Sequence, residues 1–182
     1  VGYYHAGLSD EERRLVHDEF RRGTLRILAA TNAFGMGIDK SDVRLVVHFD
    51  IPGSVEAYYQ EVGRAGRDGR PAACVLLFHE RDLATQEYFI QQASNDPEGA
   101  DRAVRMKTLL QEMLGYVSVQ TCRQLAILEY FSDEDERALG PCGLCDRCTA
   151  PPRKLSREVP LDDVASSRAI LETVSWCRGR FG

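Results

Sequence analysis

The sequence predicts an α/β fold: part of a parallel-sheet lobe, followed by a smaller helical subdomain built around clustered cysteines. Three observations carry that expectation. Short apolar runs alternate with helix-patterned segments through the first half of the chain, as in sheets whose parallel strands are joined by helical crossovers. Two glycine-bearing loops follow, one directly after an apolar run at residues 31–40 and one after a helix-patterned segment at 63–69. Four of the six cysteines lie between Cys122 and Cys148.

The elements follow in order. Residues 1–4 close a buried strand and 5–8 form a loop. Ser9 opens a helix, and Glu12 completes a capping-box pattern. Asp10, Glu11 and Glu12 suit the positive end of its dipole. Leu15, Val16 and Phe20 form the stripe expected to be buried. Arg21 and Arg22 fill the last turn and Gly23 stops the helix. Asp18 and Glu19 lie mid-helix, so they read as a solvated face rather than a metal-binding pair. Residues 25–30 form a buried parallel strand, and 44–49 a second. Ser54 caps a helix running to about Val62, where Gly63 ends it. Residues 72–78 form a third strand. Helices are expected over 81–93 and 103–114, separated by a turn-rich break at 95–99. Another begins near Cys122 and carries Leu125, Leu128 and Phe131. An acidic loop at 133–136 leads to Cys142. Pro151 and Pro152 begin a linker, after which Ile170, Val174, Cys177 and Phe181 have helical spacing. Cys74 and Cys177 are expected in the core, where free cysteine is common.

Composition narrows the function classes. At 43% apolar the chain has the make-up of a globular protein. No run approaches the roughly 20 apolar residues of a membrane span. A net charge of −5 argues against a basic nucleic-acid binder, so any such contact is expected from local patches or from parts of the protein outside this chain. The cysteine usage suggests a metal site in a reducing compartment rather than a disulfide scaffold. The start inside an apolar run at Val1 and the end at Gly182 suggest a fragment at both ends.

Two motifs carry chemistry. Residues 58–69 read Tyr-Tyr-Gln-Glu-Val-Gly-Arg-Ala-Gly-Arg-Asp-Gly, with Arg64 and Arg67 flanked by Gly63, Gly66 and Gly69. Guanidinium groups on such a frame can grip phosphate oxygens in a bidentate way. The same pattern also describes a glycine-rich loop with two solvated arginines. The second motif is Cys142-x-x-Cys145-x-x-Cys148 with Cys122 upstream. Four thiolates suit tetrahedral Zn²⁺ in a closed, structural site. The rival is an iron–sulfur cluster, whose pattern continues to a Cys-Pro, whereas Cys148 here precedes Thr149.

Residues 30–40 read Ala-Thr-Asn-Ala-Phe-Gly-Met-Gly-Ile-Asp-Lys. Together with Tyr4-His5-Ala6-Gly7-Leu8 and the 60–69 stretch, they resemble the second motor lobe of a superfamily 2 helicase, and within it the RecQ family of DNA helicases. The resemblance runs from residue 1 to about 152, and more weakly to 182. It implies a partial RecA-like lobe over 1–93 and a helical zinc-binding subdomain over 94–152. A linker and the first helix of a winged-helix domain would fill 153–182. It also implies that Gln60, Arg64 and Arg67 face the γ-phosphate of ATP, with Arg67 the arginine finger. Asp68 would cap the turn or orient Arg67. Gly37 and Asp39 would lie at the nucleotide, Asp39 near the ribose or simply holding its loop. Thr31 would contact the DNA backbone, and His5 the DNA side or the lobe interface. His48 reads as a packing residue. Cys122, Cys142, Cys145 and Cys148 would hold Zn²⁺, so that chelation unfolds the chain beyond about Arg102 while the motor lobe survives.

This chain contains no Gly-x-x-x-x-Gly-Lys-Ser/Thr phosphate loop and no Asp-Glu-x-His. It is therefore expected to be inactive alone and to need an N-terminal RecA-like lobe that holds ATP and Mg²⁺. The expected activity is 3′→5′ unwinding of DNA at single-strand/duplex junctions, in repair and recombination. Two alternatives stand beside it: a zinc-stapled scaffold with no motor, and an RNA-helicase lobe.

Overall fold

The computed structural model describes residues 1–35 and 40–149. They fall into two compact units that divide between Lys40 and Ser41.

In the first unit, β1 (Gly2–Tyr4) pairs in parallel with β2 (Leu28–Ala30), Tyr3 standing opposite Ala29. Helix α1 (Asp10–Arg22) is the crossover between them. Its start is the capping box read from the sequence. The Glu12 N–H donates to Ser9 Oγ at 3.3 Å, and the Ser9 N–H donates to the Glu12 carboxylate at 2.8 Å. Its end is Gly23 at φ 79°, a left-handed conformation that glycine adopts without penalty. Gly2 is also fitted to its place, because a Cβ there would meet the buried Leu25 side chain at 2.6 Å. Phe34 packs on Tyr4 and Phe20, with ring centroids 4.7 and 5.7 Å apart.

The stripe expected on α1 is corrected in one position. Val16 and Phe20 are partly buried, but Leu15 is exposed. Val16 and Phe20 are four residues apart and share a face; Leu15 is turned about 100° from Val16 around the helix axis. Asp18 pairs with Arg21 at 3.3 Å on the solvated face, as expected.

In the second unit, β3 (Leu45–His48) pairs in parallel with β4 (Ala73–Leu76), Val46 opposite Cys74. Helix α2 (Val55–Val62) joins them, capped by Ser54 Oγ, which accepts from the Ala57 N–H at 3.1 Å. Four helices follow: α3 (Leu83–Asn95), α4 (Ala100–Ser118), α5 (Arg123–Tyr130) and the single turn α6 (Glu134–Arg137). The acidic stretch read as a loop is thus a helical turn, because Asp133 caps it by accepting from the Glu136 N–H at 3.1 Å.

The core of this unit joins the strand–helix unit to the later helices. Ile51, Val55 and Tyr58 pack directly on Met113 and Tyr116 of α4, with Ala126, Ile127 and Tyr130 of α5 against them. Ile51, Val55 and Met113 have at most 1% of their surface exposed. A polar clasp runs alongside: the Tyr130 hydroxyl lies 2.8 Å from Glu56 on α2 and 3.0 Å from Glu112 on α4.

The strands are less buried than their apolar sequences predict. Leu45, Val47, Val75 and Leu77 all expose a third or more of their surface. Among the described residues each unit holds a two-stranded sheet, and two strands leave much of their faces uncovered. For the same reason Cys74, expected in the core, is exposed. Cys177 and the helix expected over its neighbours lie outside the described residues. Among the described residues, no helix is long and apolar enough to cross a membrane.

Candidate functional site

The arginine loop grows out of the C-terminal turn of α2. Gln60 is exposed on the helix. Beyond it the backbone keeps turning: the Arg64 N–H donates to Glu61 O at 3.3 Å and the Ala65 N–H to Val62 O at 3.0 Å. Gly66 then breaks the turn at φ 65°. No side chain fits there, since a Cβ would sit 2.8 Å from the Arg70 carbonyl oxygen. From this point the loop is tied to the strand beside it. The Gly66 N–H donates to Val43 O at 2.9 Å, and the Asp68 N–H to Ser41 O at 3.2 Å.

Asp68 caps the turn, accepting from the Arg70 N–H at 3.1 Å, and its carboxylate pairs with Arg44. The Arg44 guanidinium holds the Asp68 carboxyl below its usual range. The Arg67 Nε donates to Gly63 O at 3.1 Å. Arg64 is half-buried and forms no side-chain hydrogen bond or ion pair among the described residues. The loop frame is thus built from backbone and from Asp68 with Arg44, and Arg64 is not consumed in holding it.

His48 is a packing residue, as its sequence context suggests, but not an apolar one. Its Nε2 lies 2.6 Å from Glu61 Oε2, and its ring stacks obliquely on Tyr58 at 5.1 Å. Nothing in the sequence marks this pair, whose members are thirteen residues apart.

In the first unit the structure brings Thr31 and His5 to one sheet edge. Each is the residue that follows its strand, and the register places Tyr4 opposite Ala30. The Thr31 N–H donates to Tyr4 O at 3.1 Å and Thr31 is exposed. His5 Nδ1 accepts from the Gly7 N–H at 3.1 Å and its ring stacks on Tyr3. The C-terminal edge of parallel strands is where open α/β sheets bind ligands. Gly37 and Asp39 lie outside the described residues.

The second site is the cysteine cluster. Cys122, Cys142, Cys145 and Cys148 present four sulfurs all within 4.8 Å of one another. Four of the sulfur–sulfur separations are 3.5, 3.9, 4.0 and 3.5 Å. A tetrahedron with Zn–S bonds of about 2.3 Å has edges of about 3.8 Å, so the cluster has the size a zinc ion needs. The surroundings suit thiolates. Cys142 N–H donates to Cys122 Sγ at 3.3 Å, Arg123 N–H to Cys145 Sγ at 3.3 Å, and Leu144 N–H to Cys142 Sγ at 3.4 Å. Desolvation raises the Cys122 thiol, but the backbone N–H groups of Cys142 and Leu125 outweigh it and bring the thiol down to about 6. Cys148 is pushed up to about 12 by desolvation and by the three neighbouring sulfurs. Four sulfurs this close cannot all ionise unaided, and a divalent cation removes that conflict. All four positions are filled by protein, which leaves no open coordination site for catalysis. Arg123 and Asp146, each next to a ligand in sequence, form an ion pair at 2.9 Å that ties the cysteine loop to α5; their opposite charges beside Cys122 and Cys145 were the available sign of it.

Comparison with known proteins fits this division. Residues 1–69 match the helicase conserved C-terminal domain, and residues 80–149 match the RecQ zinc-binding domain. The ATP-dependent DNA helicase RecQ of Pasteurella multocida is 37% identical over 179 residues, covering 98% of this chain and 26% of that protein. The Bacillus subtilis protein of the same name is 42% identical over 145 residues, 80% of this chain and 24% of that one. A relative from Acanthamoeba polyphaga mimivirus, 41% identical over 157 residues, bears a provisional name as an ATP-dependent RNA helicase; the match covers 86% of this chain and 27% of that protein. The chain thus spans about a quarter of the length of the curated relatives it matches. The domain order, the arginine loop and the four-cysteine cluster agree: the chain belongs to the RecQ helicase family, of which it carries the C-terminal helicase region and the zinc-binding region.

Proposed function

We propose that this chain is the C-terminal motor lobe and zinc-stapled subdomain of an ATP-dependent 3′→5′ DNA helicase that serves repair and recombination. The observation that carries the reading is the arginine loop. Its backbone is held by Val43, Ser41 and the Arg44–Asp68 pair, so that two guanidinium groups are displayed on a fixed frame, with Arg64 in no side-chain hydrogen bond or ion pair among the described residues. Preorganised cations are what phosphoryl transfer requires, since its transition state spreads negative charge over the equatorial oxygens.

In this reading Arg67 is the arginine finger, Arg64 a second γ-phosphate contact, and Gln60, on α2, faces the γ-phosphate with them. Gly37 and Asp39 approach the nucleotide from the 31–40 loop. Thr31 and His5, at the β1–β2 edge, bear on the DNA backbone, where hydroxyls and backbone N–H groups commonly meet phosphate. A RecA-like lobe supplies the phosphate loop and the acidic residues that hold Mg²⁺, so hydrolysis occurs only when the lobes close and Arg67 arrives. Residues 1–93 form the motor lobe, 94–152 the zinc subdomain, and 153–182 a linker and the first helix of a winged-helix domain. The four cysteines hold a structural Zn²⁺ in a reducing compartment.

The test is Arg67→Ala in the full-length protein, which should lower ATP turnover by about 10³ or more. The variant should leave melting temperature and zinc content unchanged. Retained turnover would remove the finger assignment. The mimivirus relative's name favours a second reading, an RNA substrate. Unwinding assays on matched DNA and RNA duplexes separate the two, and activity on RNA alone would replace the DNA assignment.

A further inference from the structure

The arginine loop is tethered at its exit by Ser41, Val43 and Arg44, all on the approach to β3. Its entry is tethered from the other end of the same strand. His48, the last residue of β3, is 8% exposed and reaches Glu61 in the last turn of α2, Nε2 to Oε2, at 2.6 Å. The main-chain carbonyl of Glu61 accepts the Arg64 N–H. One residue therefore lies in the last turn of the helix, is pinned to the sheet through its side chain, and starts the loop through its backbone.

We propose that His48 and Glu61 are positioning residues that set the rotation of the last turn of α2, and through it the direction of Arg64 and Arg67. The proposal rests on the reading of those arginines as nucleotide-facing.

Two observations favour positioning over packing. The contact of α2 with β3 already has an apolar component through Tyr58 and the core, and apolar contact is non-directional. A short hydrogen bond between a buried imidazole and a carboxylate fixes one rotation of the helix and penalises the others. Moreover, His48 Nδ1 is buried without a partner, so Nε2 carries the ring's only hydrogen bond among the described residues. If α2 rotated away, the whole ring would be left unsatisfied. An apolar pair would pack this seam at no such cost.

The experiment has two arms. In this chain, amide exchange is followed at Arg64 and Ala65, with α4 amides as the internal reference. Glu61→Ala should speed exchange at those two amides about tenfold, roughly the factor carried by one hydrogen bond of ordinary net strength. Glu61→Asp keeps the charge but withdraws the carboxylate by one methylene, and it should act in the same direction. It also serves if Glu61→Ala fails to fold. Glu61→Gln keeps an oxygen for the Nε2–H and should recover most of the protection. Unchanged exchange in Glu61→Asp would overturn the proposal.

In the full-length protein, Glu61→Asp should lower kcat for ATP about tenfold with KM little changed, as expected when a group acting in the transition state is misplaced. Glu61→Gln should restore most of the turnover. If Arg67→Ala abolishes turnover while Glu61→Asp leaves it intact, positioning is refuted and the finger stands. If Arg67→Ala itself leaves turnover intact, the finger reading fails, and the exchange arm alone decides whether the pair holds the loop.

Discussion

Arg123 and Asp146 form a two-point ion pair between the start of α5 and the cysteine loop. Nε meets Oδ1 at 2.9 Å and Nη2 meets Oδ2 at 3.0 Å. The same guanidinium donates to the carbonyls of Tyr116 and Val117 at 2.7 and 3.0 Å and lies 5.5 Å over the Tyr116 ring. One side chain thus closes the end of α4, stacks on a core aromatic and clamps the loop that carries three of the four sulfurs.

Arg123→Ala should therefore destabilise the second unit. Asp146 is 62% exposed, so the ion pair itself contributes only about 0–1 kcal/mol. The carbonyl bonds and the lost stacking matter more, bringing the total to about 2–3 kcal/mol. Arg123→Lys should recover only part, because an ammonium cannot make the fork. Thermal melting of the zinc-loaded chain measures both.

Metal removal should have a bounded effect. The sequence alone suggests that everything beyond about Arg102 unfolds together. The shared core narrows that expectation, since Met113 and Tyr116 pack on Ile51, Val55 and Tyr58 without help from the cysteines. Chelation or Cys145→Ser should expose residues 122–149 to protease while α4 stays protected. Met113→Ala, by contrast, should cost about 2–5 kcal/mol and release α2 and α4 together. Loss of α4 protection on chelation alone would show the core to be weaker than its burial implies.

Acid should loosen the arginine loop. Arg44 holds the Asp68 carboxyl below the ordinary aspartate range. A depressed carboxyl contributes stability above its unfolded pKa, and that contribution is lost as pH falls from about 3.8 through the folded value. Arg44→Ala should return the Asp68 titration, followed by carboxyl NMR, toward the ordinary range. Asp68→Asn should make the amide exchange of Arg70 insensitive to acid in that window.

Much was legible in the sequence because it is local. The Ser9–Glu12 capping box, the Gly23 stop, the Ser54 cap and all four strands follow from residues within a few positions of each other. The cysteine cluster was legible because ligand spacing in a knuckle is itself local, with Cys122 the one distant member. Other features were not. Leu15 was misplaced because one apolar residue more than the stripe needs cannot be assigned a face from sequence. The uncovered strand faces and the exposed Cys74 depend on how many strands each sheet gathers. Helix α6 depends on Asp133 capping a stretch whose charges read as a loop.

The sequence by itself determined which chemistry the chain carries: the family's motifs, the arginines between glycines, and four thiols at zinc spacing. Only the tertiary structure decided what holds that chemistry in place. It paired Asp68 with Arg44, brought His48 to Glu61, joined Arg123 to Asp146, and fused α2 to α4 in one core. These pairings join residues 13 to 24 positions apart, and for the core still farther. Composition and periodicity report only neighbours along the chain; partners at such separations are selected by packing, which becomes defined when the chain has closed on itself.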